Sequence, residues 1–117
     1  MTYDQALAQR LRRLLKTEAS ITERELFGGL GFFVRGNMAC GVIGRRLIVR
    51  VGPQAYEECL RAPGAQVFDY SGRPMRGWVT VSAGSLATPA ALRAWVGRGL
   101  EHARTLPPKS GGRKRAG

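Results

Sequence analysis

Four short segments of strand-forming residues follow one another between residues 23 and 51, and only short turns separate them. The predicted strands are Glu23–Phe27, Gly31–Val34, Met38–Ile43 and Leu47–Val51. Connections this short join antiparallel neighbours, because a parallel pair needs a crossover of about a dozen residues or more. This run therefore restricts the chain to folds built on an antiparallel sheet.

The turn residues and the fourth strand support that prediction. The sequence "RGN", Arg35 to Asn37, is a hairpin signal, and Arg45 and Arg46 mark another tight turn. Alternation in "LIVRV" separates its side chains between two faces of the strand. One face carries Leu47, Val49 and Val51, and the other carries Ile48 and Arg50.

Helices are predicted on both sides of this run. Thr2 is the expected N-cap of the first, with Gln5 completing a capping box. A leucine stripe follows at helical spacing, extended by Tyr3, while the opposite face is basic. The stripe consists of Leu7, Leu11, Leu14 and Leu15, and the opposite face of Gln9, Arg12, Arg13 and Lys16.

The second half of the chain predicts two more helices around a last strand. Pro53 suits the first turn of a helix that continues through Tyr56, Cys59 and Leu60. The sequence "VFDYSGRPMRG" is loop-like and precedes a strand from Trp78 to Val81. Thr88 and Pro89 open a closing helix that ends before Pro107. Its predicted buried stripe is Leu92, Trp95, Val96, Gly99, Ala103 and Leu106.

This order, α-β(3–4)-α-β(1–2)-α, predicts an α+β fold in a single two-layer domain, with helices packed mainly on one face of an antiparallel sheet. With 117 residues, we expect one domain over residues 1–108 and a disordered, glycine-rich basic tail over residues 109–117. No apolar run is long enough to cross a membrane, and the N-terminus does not resemble a secretory signal. A cytoplasmic protein with reduced thiols at Cys40 and Cys59 is expected.

The glycines of "ELFGGLGFF", Glu25 to Phe33, admit three interpretations. Phosphate binding needs a glycine loop that opens a helix, but this segment continues as a strand and has no lysine. RNA reading by an RRM motif needs a stacking aromatic residue where Leu30 stands, and a different element order. The third interpretation is architectural, with Gly28 and Gly29 at a turn and Gly31 and Gly41 leaving gaps on the sheet. We favour the third.

The same stretch closely resembles the TfoX/Sxy N-terminal domain family, from about Ala6 to Lys109. The resemblance rests on "LFGGLGF", on the "GNM" hairpin and on "GRPMRGW" before the last strand. The residues of this structural signature are Phe27, Gly28, Gly29, Gly31, Gly36, Asn37, Met38, Gly72, Pro74, Met75, Gly77 and Trp78. The resemblance implies a curved antiparallel sheet in a domain similar to type III secretion chaperone folds.

The resemblance also implies a function. Longer members add a C-terminal helical domain and act as positive regulators of competence genes alongside another transcription factor. The family supplies no catalytic residues, and we expect no cofactor and no metal. His102 is the single histidine, and neither cysteine has a metal-ligand spacing, so an enzyme is not expected. The expected function is a regulatory or adaptor module acting through a protein partner, with a homodimer through a strand edge as a further possibility.

The net charge of +11 supports an alternative function, non-specific DNA or RNA binding. Loose association with nucleic acid is also compatible with the regulatory function. The candidate nucleic-acid contacts are Arg45, Arg46, Arg73, Arg76, Lys109, Arg113, Lys114 and Arg115. Each has a structural alternative, because turn-tip arginines are often a solvated edge and a basic tail can be a solubilising end.

Overall fold

The computed structural model describes residues 3–18, 20–26, 28–69 and 72–108. Six strands form one antiparallel sheet in the order β1-β2-β3-β4-β6-β5. The elements are α1 (Gln5–Leu15), β1 (Ile21–Leu26), β2 (Gly29–Val34), β3 (Asn37–Ile43), β4 (Arg46–Arg50), α2 (Tyr56–Leu60), β5 (Ala65–Val67), β6 (Trp78–Ser82), a 3₁₀ turn (Ala83–Leu86) and α3 (Pro89–Arg104). The predicted α+β class and element order are confirmed.

The three helices pack on one face of the sheet and form the main core with it. This core contains Leu7, Leu11 and Leu15 of α1, Tyr56 and Cys59 of α2, and Leu92, Val96, Leu100 and Ala103 of α3. The strands contribute Leu30, Phe32, Val34, Cys40, Val42, Leu47, Val49, Val79 and Val81. Strand alternation therefore places the predicted face of Leu47 and Val49 under the helices.

Helix α3 approaches the sheet most closely at a glycine. A Cβ placed on Gly99 would lie 2.3 Å from the backbone oxygen of Ala39, far inside contact distance. Ala39 is the extra residue of a β-bulge, since Phe32 pairs with Cys40 while the next residue, Phe33, pairs with Met38. The bulge and the glycine together let helix and strand backbones meet.

The opposite face of the sheet carries a second, smaller apolar cluster, in which no helix takes part. Its buried members are Phe33, Met38, Ile48 and Phe68, with Leu26, Ile43 and Trp78 packed against them. Phe68 belongs to the connection between β5 and β6, which reaches this side of the sheet. We call this side the open face, meaning the strand residues that alternate with the main-core residues.

Two glycine positions show what the backbone requires. Arg35 and Gly36 both have positive φ, at 50° and 85°, which is the type I′ geometry of a two-residue hairpin turn between β2 and β3. A Cβ on Gly31 would lie 2.9 to 3.2 Å from side-chain atoms of Leu26, Phe33 and Met38. The gap predicted at Gly31 therefore exists, and an aromatic ring and two aliphatic side chains fill it from the open face.

Several local predictions are wrong in detail. Helix α1 begins at Gln5 with Asp4 as its N-cap, whose carboxylate accepts from the amides of Ala6 and Leu7, while the predicted cap, Thr2, lies outside the described residues. Tyr3 is not part of the helix, since it forms a β-bridge to Gly44. Helix α2 begins at Tyr56, after Pro53. Strand β5 includes Val67, which was assigned to a loop.

The predicted basic tail, residues 109–117, lies outside the described residues. Within the part of the chain that is described, no helix is long and apolar enough to span a bilayer.

Candidate interaction face of the sheet

The open face has a nearly flat row of residues across four strands. Arg24 on β1 pairs with Gly31, which pairs with Gly41, which in turn pairs with Ile48 on β4. The two middle positions have no side chains of their own, and Met38 covers both. The row therefore forms a flat apolar surface with an arginine at one end.

Two arginines lie stacked on aromatic rings of this face. The Arg24 guanidinium lies 4.4 Å from the centroid of Phe33, and the Arg50 guanidinium lies 5.2 Å from that of Trp78. Arg24 reaches Phe33 diagonally because Gly31, directly opposite, presents no side chain, whereas Arg50 is paired directly with Trp78. Cation–π contacts of this kind hold a guanidinium close to the ring and to the sheet surface.

Burial lowers the pKa of Arg50, because the ring and the sheet displace water from its guanidinium. The group stays charged at neutral pH, since an arginine pKa lies far above that range. Arg50 is therefore a partly desolvated cation, and an anion bound beside it interacts in a lower dielectric than at a fully hydrated surface.

Arg46 adds a third cation to the open face, at the start of β4. Its Nε donates to the Thr80 hydroxyl at 2.9 Å, and its Nη2 donates to the carbonyl oxygens of Gly64 and Thr80 at 2.9 and 3.3 Å. These bonds fix the side chain in place without neutralising its charge, because all of the acceptors are uncharged.

Acidic residues lie elsewhere in the described part of the chain. None of the strand residues that alternate onto the open face is acidic. Asp69, which follows Phe68 in the connection between β5 and β6, is exposed, and Glu23 and Glu25 flank Arg24 in sequence but alternate onto the helix side. The ion pairs join Arg12 to Glu23, Arg76 to Glu57, Arg98 to Glu58 and Arg104 to Glu18. The open face therefore carries a positive charge that the chain's own strands do not balance.

The candidate nucleic-acid contacts predicted from sequence are not brought together. Arg45 is exposed in the turn that leads into β4, and Arg46 begins that strand. Arg73 and Arg76 lie in the connection before β6, and Trp78, where β6 begins, pairs with Arg50 at the far end of β4. Arg76 lies 5.4 Å above the Tyr56 ring and 3.7 Å from a Glu57 oxygen. Lys109, Arg113, Lys114 and Arg115 lie outside the described residues.

Two arginines of the open face, Arg24 and Arg50, were not among the predicted contacts. The alternation of "LIVRV" did place Arg50 on the face opposite the apolar stripe. For Arg24 the signal was the pattern Glu23-Arg24-Glu25, which in a strand sends the arginine to one face and both carboxylates to the other. Glu23 does point to the helices, where it receives three hydrogen bonds from Arg12.

Several family-signature residues have visible structural roles in the fold. The amide of Asn37 donates to the carbonyl of Pro107 at 2.9 Å and so ties the end of the domain to β3. The carbonyl of Gly77 accepts from the amides of Val51 and Gly52, where the chain leaves the sheet. Positive φ occurs at Gly28, Gly36, Gly72 and Gly77. Gly29 begins β2, Pro74 and Met75 are exposed before β6, and Phe27 lies outside the described residues.

The described residues that could carry chemistry are dispersed. Burial raises the pKa of the Cys40 thiol to about 12, and burial is also the main reason why the pKa of Cys59 is raised, so neither thiol is ionised at neutral pH. Burial, and then the charge of Arg50, lower the pKa of His102. No group of three or more His, Cys, Asp or Glu side chains in the described ranges could hold a metal ion.

The fold and the open face define a small α+β domain that presents arginines on the helix-free side of an antiparallel sheet. The sequence model of the TfoX N-terminal domain matches residues 13–103. The chain therefore belongs to the TfoX N-terminal domain family, which is not a known enzyme family. A search of curated proteins finds no match to this chain.

Proposed function

We propose that this chain is a non-enzymatic regulatory or adaptor module, of the kind that acts through protein contacts in transcription or competence-type regulation in the cytoplasm. Family membership supports the TfoX-like part of this proposal. The observation that carries the rest is the open face, where Arg24 and Arg50 are stacked on aromatic rings and no strand carboxylate balances them. Aromatic and arginine side chains are enriched at protein interfaces.

A deletion experiment tests the regulatory role. We expect that deleting the gene in its native cell changes the levels of a defined set of transcripts and that the wild-type chain restores them. A chain without a regulatory role would leave transcript levels unchanged on deletion and on overexpression. A surface variant, Arg13→Gln/Arg93→Gln, serves as a control that should restore the transcripts, since both side chains are exposed on helices.

Direct nucleic-acid binding is the second candidate, and the net charge of +11 favours it. We expect the full chain to bind duplex DNA weakly, with most of the binding removed by salt. Changing Lys109, Arg113, Lys114 and Arg115 together to glutamine should then flatten the slope of log affinity against log salt by about 3 to 4 units, since each neutralised phosphate contributes about 0.9. Tight binding that survives in this variant would favour nucleic acid as the main partner.

A further inference from the structure

We propose that the open face docks an extended acidic segment of a partner protein, whose carboxylates pair with the guanidinium groups of Arg24 and Arg50, while Arg46 adds positive charge beside them. This inference rests on the proposed function, because it names the chemistry of the protein contact. It goes further in assigning the contact to one side of the sheet and to two residues.

Charge complementarity is the first argument. The three arginines come from strands β1 and β4, and the strand residues around them on this face are apolar, neutral or glycine. The helix side, in contrast, pairs Arg12, Arg98 and Arg104 with carboxylates of the same chain. A ligand for the open face has to bring its own anions, and acidic side chains supply them.

Preorganisation is the second argument. Stacking on Phe33 and Trp78 holds two guanidinium groups in place, and hydrogen bonds to Thr80 and Gly64 hold the third. A guanidinium presents parallel N–H donors that match a carboxylate, and a fixed one loses less rotamer freedom when it binds. The face therefore suits carboxylate groups at defined spacings.

The spacing fits an extended chain. Arg24 and Arg50 are separated by three strand intervals and two residues along a strand, or about 16 Å in a flat sheet. In an extended peptide, residues four positions apart lie roughly 13 Å from one another, and flexible glutamate side chains can cover the remaining roughly 3 Å. Alternate side chains of such a peptide face the same way, so acidic residues at every second position place carboxylates within reach of both Arg24 and Arg50.

The rings themselves favour a protein over a nucleic acid. Single-stranded nucleic acid binds open sheets by stacking its bases on exposed aromatic rings. Phe33 is only 6% exposed beneath Arg24, Phe68 only 4%, and the half-buried ring of Trp78 is covered by Arg50, so these rings offer bases little free surface. What the face exposes instead is the arginines, and we take acidic side chains as their partner.

Fluorescence anisotropy tests the proposal with a labelled peptide of about twelve alternating glutamate and threonine residues. Its neutral control alternates glutamine and threonine, and an oligothymidylate of equal length probes nucleic acid. The proteins are the full chain, Arg24→Gln/Arg50→Gln, Arg24→Lys/Arg50→Lys, and Arg13→Gln/Arg93→Gln as the control with the same change in charge. All four keep the tail, so its contribution cancels, and thermal unfolding verifies that each variant folds.

We expect the acidic peptide to bind the full chain and the glutamine variant of the open face to lose about tenfold or more in affinity. The lysine variant should retain part of the affinity, because it keeps the charge but not the planar donors. The helix-side control should change affinity by less than about twofold. Equal losses in both glutamine variants would overturn the proposal, and so would tighter binding of oligothymidylate that depends on Arg24 and Arg50.

The two proposals fail in different ways. Suppose that the acidic peptide binds through Arg24 and Arg50 but that deleting the gene leaves transcript levels unchanged. The docking surface would then be supported and the regulatory role rejected. Suppose instead that deletion changes transcript levels and that the Arg24→Gln/Arg50→Gln variant restores them fully. The regulatory role would then be supported and the docking surface rejected.

Discussion

His102 connects a single side chain to the pH dependence of the whole fold. Its ring lies against the backbone of Gly52, so closely that a Cβ on that glycine would come within 2.6 Å of Nδ1. Burial and the nearby charge of Arg50 lower the pKa of His102 in the folded chain. Below its ordinary value of about 6.5, the unfolded chain therefore takes up the proton more readily than the folded one.

We predict that the free energy of unfolding rises as the pH increases from the lowered pKa of His102 to about 6.5. His102→Gln should reduce this rise, because glutamine does not titrate. Urea unfolding at several pH values from about 5.5 to about 7.5 measures both proteins. The slope, and not the absolute stability, is the readout, since the substitution also changes packing. Identical slopes would show that His102 does not carry the effect.

Single side chains of the open face were only partly predictable from sequence. The alternation in "LIVRV" predicts which face of the strand carries Arg50, because the two-residue period can be read within a single strand. The stacking of Arg24 on Phe33 depends on the register that puts Arg24 opposite Gly31, and on the empty space at that glycine. Register is a property of two strands, so the sequence of one could not reveal it.

At the scale of the element, the packing of helix α3 on the sheet requires glycine at position 99 but not at position 97. Gly99 faces the bulge of β3, where a Cβ would lie 2.3 Å from a backbone oxygen. Gly97 is exposed, and a Cβ there would meet nothing within 4 Å. The two positions share a helix and a residue type and differ only in what they face.

We predict that Gly99→Ala lowers the free energy of unfolding by on the order of 2 kcal/mol, because α3 must move off β3. Gly97→Ala should raise it by up to about 1 kcal/mol, since alanine favours the helix over glycine at an open position. Urea unfolding of the two variants tests the pair. If Gly97→Ala lowered the free energy of unfolding as much as Gly99→Ala, the cause would lie in the helix itself and not in its contact with the sheet.

Element prediction succeeded where the pattern was periodic and failed where it was short. The hairpin at Arg35 and Gly36 and the Thr88 cap of α3 have strong local signals, and both are present. Strand β5 has only three residues and pairs with β6 across a connection of ten residues, so its sequence alone resembles a loop. The α1 cap was misplaced because aspartate and threonine are both good caps, so the sequence alone does not choose between Asp4 and Thr2.

The edge of β1 bears on the homodimer, which stays a prediction. Twofold antiparallel pairing of two β1 strands brings equivalent faces together, and its two most overlapping registers place like charges opposite one another. One puts Glu23 opposite its own copy, and the other puts Arg24 opposite its copy and Glu23 opposite Glu25. Like charges directly opposite destabilise a strand pair, so this edge disfavours the dimer in those two registers.

At the scale of the whole molecule, the two sides of the sheet are used differently. One side is covered by three helices and forms the main core, and the other holds a small apolar cluster beneath arginines. The composition predicts an excess of positive charge but not where that charge lies. The fold places the carboxylates beside the helices and along the edge of β1, away from the open face. The surface charge of the open face is therefore a property of the tertiary structure.

The most direct test of the account is to map the bound peptide by NMR, recording amide shifts of the full chain as the glutamate–threonine peptide is added. The account predicts that the largest shifts occur across the open face, at Arg24, Gly31, Gly41, Ile48 and the indole of Trp78. It also predicts little change along the exposed sides of α1 and α3. Shifts confined to the helices, or to the residues after Pro108, would contradict it.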